Sequence, residues 1–287
     1  MQPETIVMEA REFEWVPSTD RPFGVRRAGA ERNDLKRLLG AFAPITLAEM
    51  DAVRLMDRSE VKYLFPRRQL LSILAELKDD YRVFVAAGLP WSRYRTLYYD
   101  TEDMALYLRH HAGAADRYKV RTREYVDSRV AFLEVKHKRG PVRTMKERIP
   151  IAEPPLKLAG DVAEFVGGMC PYPAGELRPT LWNHCSRITL VSKTCCERVT
   201  LDIDLAFSWD KELAVLPGIV VAEVKYEGSR QDSKFIQLMR RLQVRETSFS
   251  KYCIGVSMLY PGVKHNKFKA KLRTVARLTQ GANYGLV

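Results

Sequence analysis

The chain has 287 residues, 46% of them hydrophobic, enough for one large domain or two modest ones around a proper core. Lys plus Arg number 47 against 35 for Asp plus Glu, and the net charge of +12 favours anionic partners: nucleic acid, an acidic membrane surface or phosphorylated small molecules. No apolar run reaches the roughly 18 residues of a membrane span, and the start MQPETIVMEAREFEW is not a signal peptide, so the cytoplasm is the expected compartment.

Residues 1–45 are mixed in charge and carry Pro17, Pro22 and Gly24, with a short helical pattern at Asp34–Leu39; the expectation is a partly disordered arm. From Thr46 a helix is predicted, with Thr46 as cap, Glu49 at the capping-box position and Leu47, Met50, Val53 and Leu55 as its apolar side. The next segment, RSEVKYLF (58–65), alternates: Arg58, Glu60 and Lys62 on one face, Val61, Tyr63 and Phe65 on the other. After Pro66, Leu70, Ile73, Leu74 and Leu77 recur at helical spacing.

A strand is predicted over Ser92–Asp100, then a short capped helix or turn ending at Gly113. In Arg117–Lys138 the alternation is clearest. Arg117, Lys119, Arg121 and Arg123 project together and, after a turn at Asp127–Ser128, so do Phe132, Glu134, Lys136 and Lys138, with Tyr118, Val120, Leu133 and Val135 opposite. VRTMKERIP (142–150) continues with Lys146 and Arg148, less cleanly, and a proline-rich, helix-containing connection follows over 151–180.

Three more extended segments begin at Asn183, Glu197 and Ile219; Arg198, Thr200, Asp202 and Asp204 share a face, as do Glu223 and Lys225. A helix is predicted over about 229–244, and Ser250–Lys251 falls at a turn before another helix or strand. The tail from Gly262 holds Lys264, Lys267, Lys269, Lys271, Arg273 and Arg277 and no acid. It reads as a solvated tail or as an electrostatic dock for an anionic surface. The cysteines Cys170, Cys185, Cys195, Cys196 and Cys253 have no CxxC spacing and are expected as reduced thiols.

Alternation of this kind often marks only the solvated side of a half-buried sheet. Its recurrence in eight predicted strands points elsewhere. If helices cover the apolar faces, Lys62, Arg121, Arg123, Lys136, Lys146, Arg187, Arg198 and Lys225 point into a common interior, where like charges are costly unless a polyanion neutralises them. Arg forks grip phosphate oxygens and Lys supplies point charges. Glu60, Glu134 and Glu223 are candidate ligands for Mg²⁺ or Mn²⁺ beside phosphate oxygens, or salt-bridge partners of the lysines.

The set RSEVKY (58–63), TLYYDTEDMALYLRHHAG (96–113), RTREY (121–125), LEVKHK (133–138), MKERIP (145–150), RVTLDID (198–204), AEVKYEG (222–228) and SKY (250–252) resembles the VTC domain of polyphosphate polymerases, in the triphosphate tunnel metalloenzyme superfamily. The resemblance covers about Asp57 to Tyr260. It implies an α+β fold, an eight-stranded antiparallel β-barrel (the triphosphate tunnel) with helices packed outside, over 46–261, leaving 1–45 as an arm and 262–287 as a basic tail. It also implies transfer of the ATP γ-phosphate to a growing polyphosphate chain with Mg²⁺ or Mn²⁺.

Carried over by motif, the phosphate-gripping residues are Lys62, Arg121, Arg123, Lys136, Lys146, Arg187, Arg198 and Lys251, with Lys225 beside them, and the metal-binding acids are Glu223 and, more weakly matched, Glu134. Hydrolytic superfamily members carry ExExK where this chain has Arg58, Glu60 and Lys62, a departure that puts hydrolysis of that type in doubt. The membrane spans and phosphate-sensing domain of eukaryotic VTC complexes have no counterpart here, so coupling to export implies a separate membrane protein. A non-catalytic polyphosphate-binding module and a metal-dependent triphosphatase are the alternatives. RNA binding lacks an aromatic-rich strand of RNP type.

Overall fold

A computed structural model describes residues 25–52, 59–140 and 143–280. In chain order the elements are α1 (Val25–Leu39), β1 (Ala43–Ile45), α2 (Leu47–Ala52), β2 (Ser59–Pro66), α3 (Leu70–Leu77), β3 (Tyr81–Phe84), β4 (Ser92–Asp100), α4 (Ala105–Ala112), β5 (Asp116–Tyr125), β6 (Val130–Arg139), β7 (Arg143–Ile151), α5 (Asp161–Met169), β8 (Arg178–Ser192), β9 (Glu197–Trp209), β10 (Glu212–Leu216), β11 (Ile219–Tyr226), α6 (Lys234–Arg241), α7 (Lys251–Leu259) and α8 (Lys269–Gln280).

The strands form one sheet whose main path is β2-β11-β9-β8-β4-β5-β6-β7, antiparallel throughout. These are the eight strands expected from the alternation. Three short strands were not anticipated: β10 pairs with β9, and β3 pairs with β8 and, in parallel, with β1. Among the described residues β7 and β2 share no ladder, so the sheet is not closed by backbone hydrogen bonds. It is an α+β architecture in which the sheet curls until groups on its distant strands interact: Lys136 of β6 feels both Lys62 of β2 and Glu223 of β11.

Parity along each strand divides the molecule. On β11, Val220, Ala222 and Val224 join an outer core with Tyr63 and Phe65 of β2, Val199 and Leu201 of β9, and the apolar sides of α1, α3 and α6. The outer side of β4, β5 and β6 (Leu97, Val120, Leu133, Val135) is covered by Val166 of α5 and the connection around Leu158 and Leu177. The other parity faces inward. At one end it is apolar, with Leu64, Leu181, Phe207, Ile219 and Val221 packed against Tyr252, Ile254 and Val256 of α7 and Val275 of α8. Burying each such side chain contributes about 1.5–3 kcal/mol, which fixes α7 inside the curl.

Two expectations change. The stretch 1–45 was expected as a partly disordered arm, yet its described part forms α1, whose Leu35 and Leu39 are buried in the outer core, with Phe42 behind them. The reason is its i, i+4 apolar spacing, reinforced by Arg67 donating to Glu31 at 2.9 Å; residues 1–24 lie outside the described residues. The basic segment after Gly262 forms α8, because Leu272, Val275 and Leu278 recur at helical spacing and pack on the apolar end of the inner face. Thr46 and Glu49 do make the capping box, Glu49 N donating to Thr46 Oγ1 at 3.4 Å and Thr46 N to Glu49 Oε2 at 2.8 Å. Arg58, Val53 and Leu55 lie outside the described residues. All five cysteines are free, and among the described residues no helix is long and apolar enough to cross a membrane.

Candidate functional site

Past the apolar end, the inner face turns charged. On β11 the parity that places Ile219 and Val221 against α7 places Glu223 and Lys225 next, and on β2 Leu64 is followed by Lys62 and Glu60. Lys62 is in register with Glu223, and its Nζ lies 2.8 Å from Glu223 Oε2 while also pairing with Glu60. The other oxygen of Glu223 is 2.6 Å from Lys225 Nζ. Burial raises this carboxyl, yet Lys225 and Lys62 outweigh it and hold Glu223 well below the usual carboxylate range.

The same arrangement occurs twice more. On β8 and β9, Arg187 grips Asp202 bidentately, Nε to Oδ1 at 2.6 Å and Nη2 to Oδ2 at 2.8 Å, and Lys251 at the start of α7 pairs with Asp202 Oδ2. On β5, β6 and β7, Glu134 is 0% exposed and accepts from Arg121 Nε at 2.8 Å and from Lys146 Nζ at 2.6 Å. Burial opposes ionisation at both acids; Arg187 and Lys251 at one, Arg121, Arg123 and Lys146 at the other, keep them ionised. Three carboxylates thus each hold two cations. Because Glu60 also pairs with Lys62, six cations face four carboxylates, and a third of the positive charge remains uncompensated.

Around these triads stand further cations. Burial, with Lys119 and Arg121 adding to it, lowers Lys136 to about 7; burial lowers Lys146 to about 8 against the pull of Glu134. Arg123 has a buried Nε without a hydrogen-bond partner, and its guanidinium lies 5.6 Å from the ring centre of Tyr94. Arg187 lies 5.1 Å from the same ring. Lys119 donates to Ser250 Oγ at 2.9 Å, tying β5 to the N-cap of α7. Arg198, in register with Lys225, adds to the depression that burial imposes on that lysine.

Every residue singled out from the sequence that is described here (Lys62, Arg121, Arg123, Glu134, Lys136, Lys146, Arg187, Arg198, Glu223, Lys225, Lys251) falls on this face, on β2, β5, β6, β7, β8, β9, β11 or the first residue of α7. Three participants were not singled out. Asp202 shares parity with Arg198 and was legible in ERVTLDID, and Lys119 was already placed on the cationic face with Arg121 and Arg123; Tyr94 was hidden because an aromatic on an alternating strand carries no distinguishing signal. Glu134, the more weakly matched of the two metal-ligand candidates, is fully buried and gives both oxygens to Arg121 and Lys146, as Glu223 gives its two to Lys62 and Lys225.

Among the described residues no group of three or more His, Cys, Asp or Glu could hold a metal by itself. Mg²⁺ is ordinarily held by one or two carboxylates plus substrate phosphates, so this is no obstacle. Glu223 and Glu60 converge on the ammonium of Lys62, which marks a place where a cation is already held between two carboxylates. The donor set fits a hard divalent ion that completes its shell with phosphate oxygens.

The VTC domain family matches residues 57–162 and 172–260, more than half of the chain. The chain belongs to this family. The two matched segments contain all of the strands of the main path and Lys251. Solved structures similar to the VTC domain described here include a proposed adenylate cyclase from Bacillus halodurans, 14% identical, covering 68% of this chain and 96% of that one at a TM-score of 0.44. A proposed adenylyl cyclase from Hippeastrum whose dominant activity is triphosphatase is also 14% identical, with 70% and 96% covered and a TM-score of 0.48. A conserved protein of unassigned function from Pyrococcus furiosus is 12% identical, with 66% and 91% covered and a TM-score of 0.37. No curated protein matches.

Proposed function

We propose that this VTC domain is a polyphosphate polymerase that transfers the γ-phosphate of ATP to a growing phosphate chain. The observation that carries the reading is a single half-buried face on which Glu223, Glu60, Asp202 and Glu134 meet six paired cations, with Arg123, Lys136, Lys119 and Arg198 beside them, so that positive charge is in excess. The residual charge suits a linear polyanion whose successive phosphates meet successive triads. Arg121, Arg123 and Arg187 offer forks, and Lys62, Lys136, Lys146, Arg198, Lys225 and Lys251 offer donors around them.

In this reading a terminal oxygen of the chain attacks the γ-phosphorus in line, the bond from phosphorus to the β–γ bridging oxygen breaks, and ADP leaves with the released negative charge. Phosphoryl transfer asks for positioning and charge neutralisation more than for a covalent nucleophile, and a fixed cationic cage supplies both. Glu223, with Glu60, would hold Mg²⁺ or Mn²⁺, which when bound supplies charge neutralisation at the phosphate oxygens. Lys251 lowers the cost of bringing the chain close to Asp202, and Tyr94 keeps Arg123 and Arg187 in place.

The test is incubation of the purified protein with ATP and Mn²⁺, resolving products on a gel and measuring released orthophosphate in parallel. Chains are expected from the wild type and not from Arg121→Ala or Glu223→Ala. Orthophosphate without chains would replace the polymerase by a triphosphatase, and tight polyphosphate binding without turnover under any metal would leave a binding module. The cytoplasm is the compartment we propose. The exposed Lys264, Lys267, Lys269, Arg273 and Arg277 give it a basic side that suits docking to an anionic membrane surface or a separate membrane protein.

A further inference from the structure

At the end of the inner face opposite α7, the charged triads give way to rings. Arg123 is in register with Phe132, and Tyr94 with Tyr125, so parity places Tyr94, Tyr125, Phe132 and Arg148 on the same side of the sheet as Arg121 and Glu134. Tyr94 and Tyr125 have ring centres 4.9 Å apart, Tyr125 meets Phe132 edge-on at 6.1 Å, and the guanidinium of Arg148 lies 4.3 Å from the centre of the Phe132 ring. The three rings are half-buried and Arg148 is exposed. Tyr94 packs against the inner apolar cluster, but Tyr125 and Phe132, half-buried beside a solvent-facing guanidinium and the charged face, belong to none of the three apolar clusters.

We propose that Phe132, with Tyr125 and Arg148, is a stacking shelf for the nucleobase of the nucleoside triphosphate. This rests on the polymerase reading above and names how the donor nucleotide is told apart from the phosphate chain. Spacing supports it. Residues two apart on a strand are separated by about 7 Å, so Phe132 stands about 7 Å from Glu134 and its partner Arg121, and about 13 Å from Lys136. A base seated on Phe132 lies level with Arg123, which is in register with it, and leaves room for a ribose before its phosphates meet Arg121, with the γ-phosphate reaching toward Lys136. A ring face and a guanidinium grip the π-surface common to every base, so the shelf recognises a nucleobase without choosing among them.

Binding of ATP, GTP and inorganic tripolyphosphate is measured by calorimetry on wild-type protein and on Phe132→Ala, Phe132→Trp and Arg148→Ala. Expected is a loss of about tenfold or more in affinity for both nucleotides in Phe132→Ala, a smaller loss in Arg148→Ala, near wild-type values in Phe132→Trp, and unchanged tripolyphosphate affinity in all. Unchanged tripolyphosphate binding also reports that the variants fold. Equal losses for tripolyphosphate and ATP in Phe132→Ala, or no loss for either, would overturn the shelf while leaving the phosphate cage standing. Failure of wild-type protein to bind tripolyphosphate at all would overturn both.

Discussion

The two ends of the inner face are built from the same strands at the same parity and differ only in what lies along them. On β11 the inward residues run Ile219, Val221, Glu223, Lys225; on β2 they run Leu64, Lys62, Glu60. The apolar end is filled by α7 and α8, and the charged end is lined by six paired cations against four carboxylates. A sheet therefore does not need closure by hydrogen bonds to enclose a site: a helix plugging one end and electrostatics ordering the other are sufficient. Lys251 joins the two ends by starting α7 on one side and pairing with Asp202 on the other.

The sharpest way to separate the two ends is Arg121→Ala, the largest expected effect. Its removal leaves Glu134, 0% exposed, with Lys146 as its hydrogen-bonded partner. Stranding a buried charge in this way typically costs about 3–5 kcal/mol, and we expect the low part of that range because Lys146 stays. A fall in urea midpoint, together with loss of tripolyphosphate binding, is the expected outcome. Arg121→Ala/Glu134→Leu should recover most of the stability and none of the binding; recovery of both would mean that the triad is structural only.

At the plug, Gly255→Ala tests the opposite dependence. A Cβ at Gly255 would stand 2.6 Å from Leu181 Cδ2 and 2.7 Å from Phe207 Cδ1, too close for real carbon contacts, so α7 must withdraw from the sheet. Overpacking of this kind costs about 1–3 kcal/mol. The expected result is a lowered melting temperature, with phosphate binding weakened only as far as Lys251 is displaced. Tripolyphosphate affinity falling more steeply than stability would show that the two ends are coupled beyond that one residue.

The strands of the charged end were legible in the sequence because alternation with a period of two survives in any half-buried strand, and RYKVRTREY states it without ambiguity. What was not legible follows from tertiary contact. Asp202 looked like one more polar residue on an alternating strand until Arg187 and Lys251 closed on it. Short β1, β3 and β10 are too brief for a period to show. The apolar stretch of the inner face was missed because Ile219 and Val221 alternate with Val220 and Ala222, a run that reads the same whether one face or two are buried. The tail's charge concealed the Leu272, Val275, Leu278 spacing that makes α8 a lid on that stretch.

A smaller effect is expected from pH. Lys136 has its folded value lowered to about 7 by burial and by Lys119 and Arg121, with Lys62 also depressing it and Glu223 opposing. The unfolded lysine stays protonated to about 10.4, so between those limits the unfolded chain binds the extra proton and stability rises with pH. Below about 7 both states are protonated and the full penalty of the buried ammonium is present. The free protein should therefore gain stability as pH is raised from about 6 to 9. Lys136→Met should lose much of that slope, and tripolyphosphate should flatten it by neutralising the ammonium. A slope identical in wild type and Lys136→Met would place the titrating group elsewhere, with Lys146 the next to substitute, since burial brings it to about 8.

The smallest effect concerns Tyr94, whose ring lies 5.6 Å from the Arg123 guanidinium and 5.1 Å from that of Arg187. Two guanidiniums near one another repel, and the electron-rich ring between their strands offsets this by about 0.5–2 kcal/mol in total while fixing where the forks point. Tyr94→Leu removes the ring and keeps only part of its apolar bulk; Tyr94→Phe keeps the ring and removes the hydroxyl, whose acidity burial already suppresses to about 12. If the ring's role is to hold the forks, Leu should weaken tripolyphosphate several-fold while Phe matches the wild type; the melting temperature should stay unchanged in Phe and fall modestly in Leu, because Tyr94 also packs against the plug. Equal weakening by Phe and Leu would instead assign the role to the hydroxyl, and it would become a direct ligand of phosphate at the charged end.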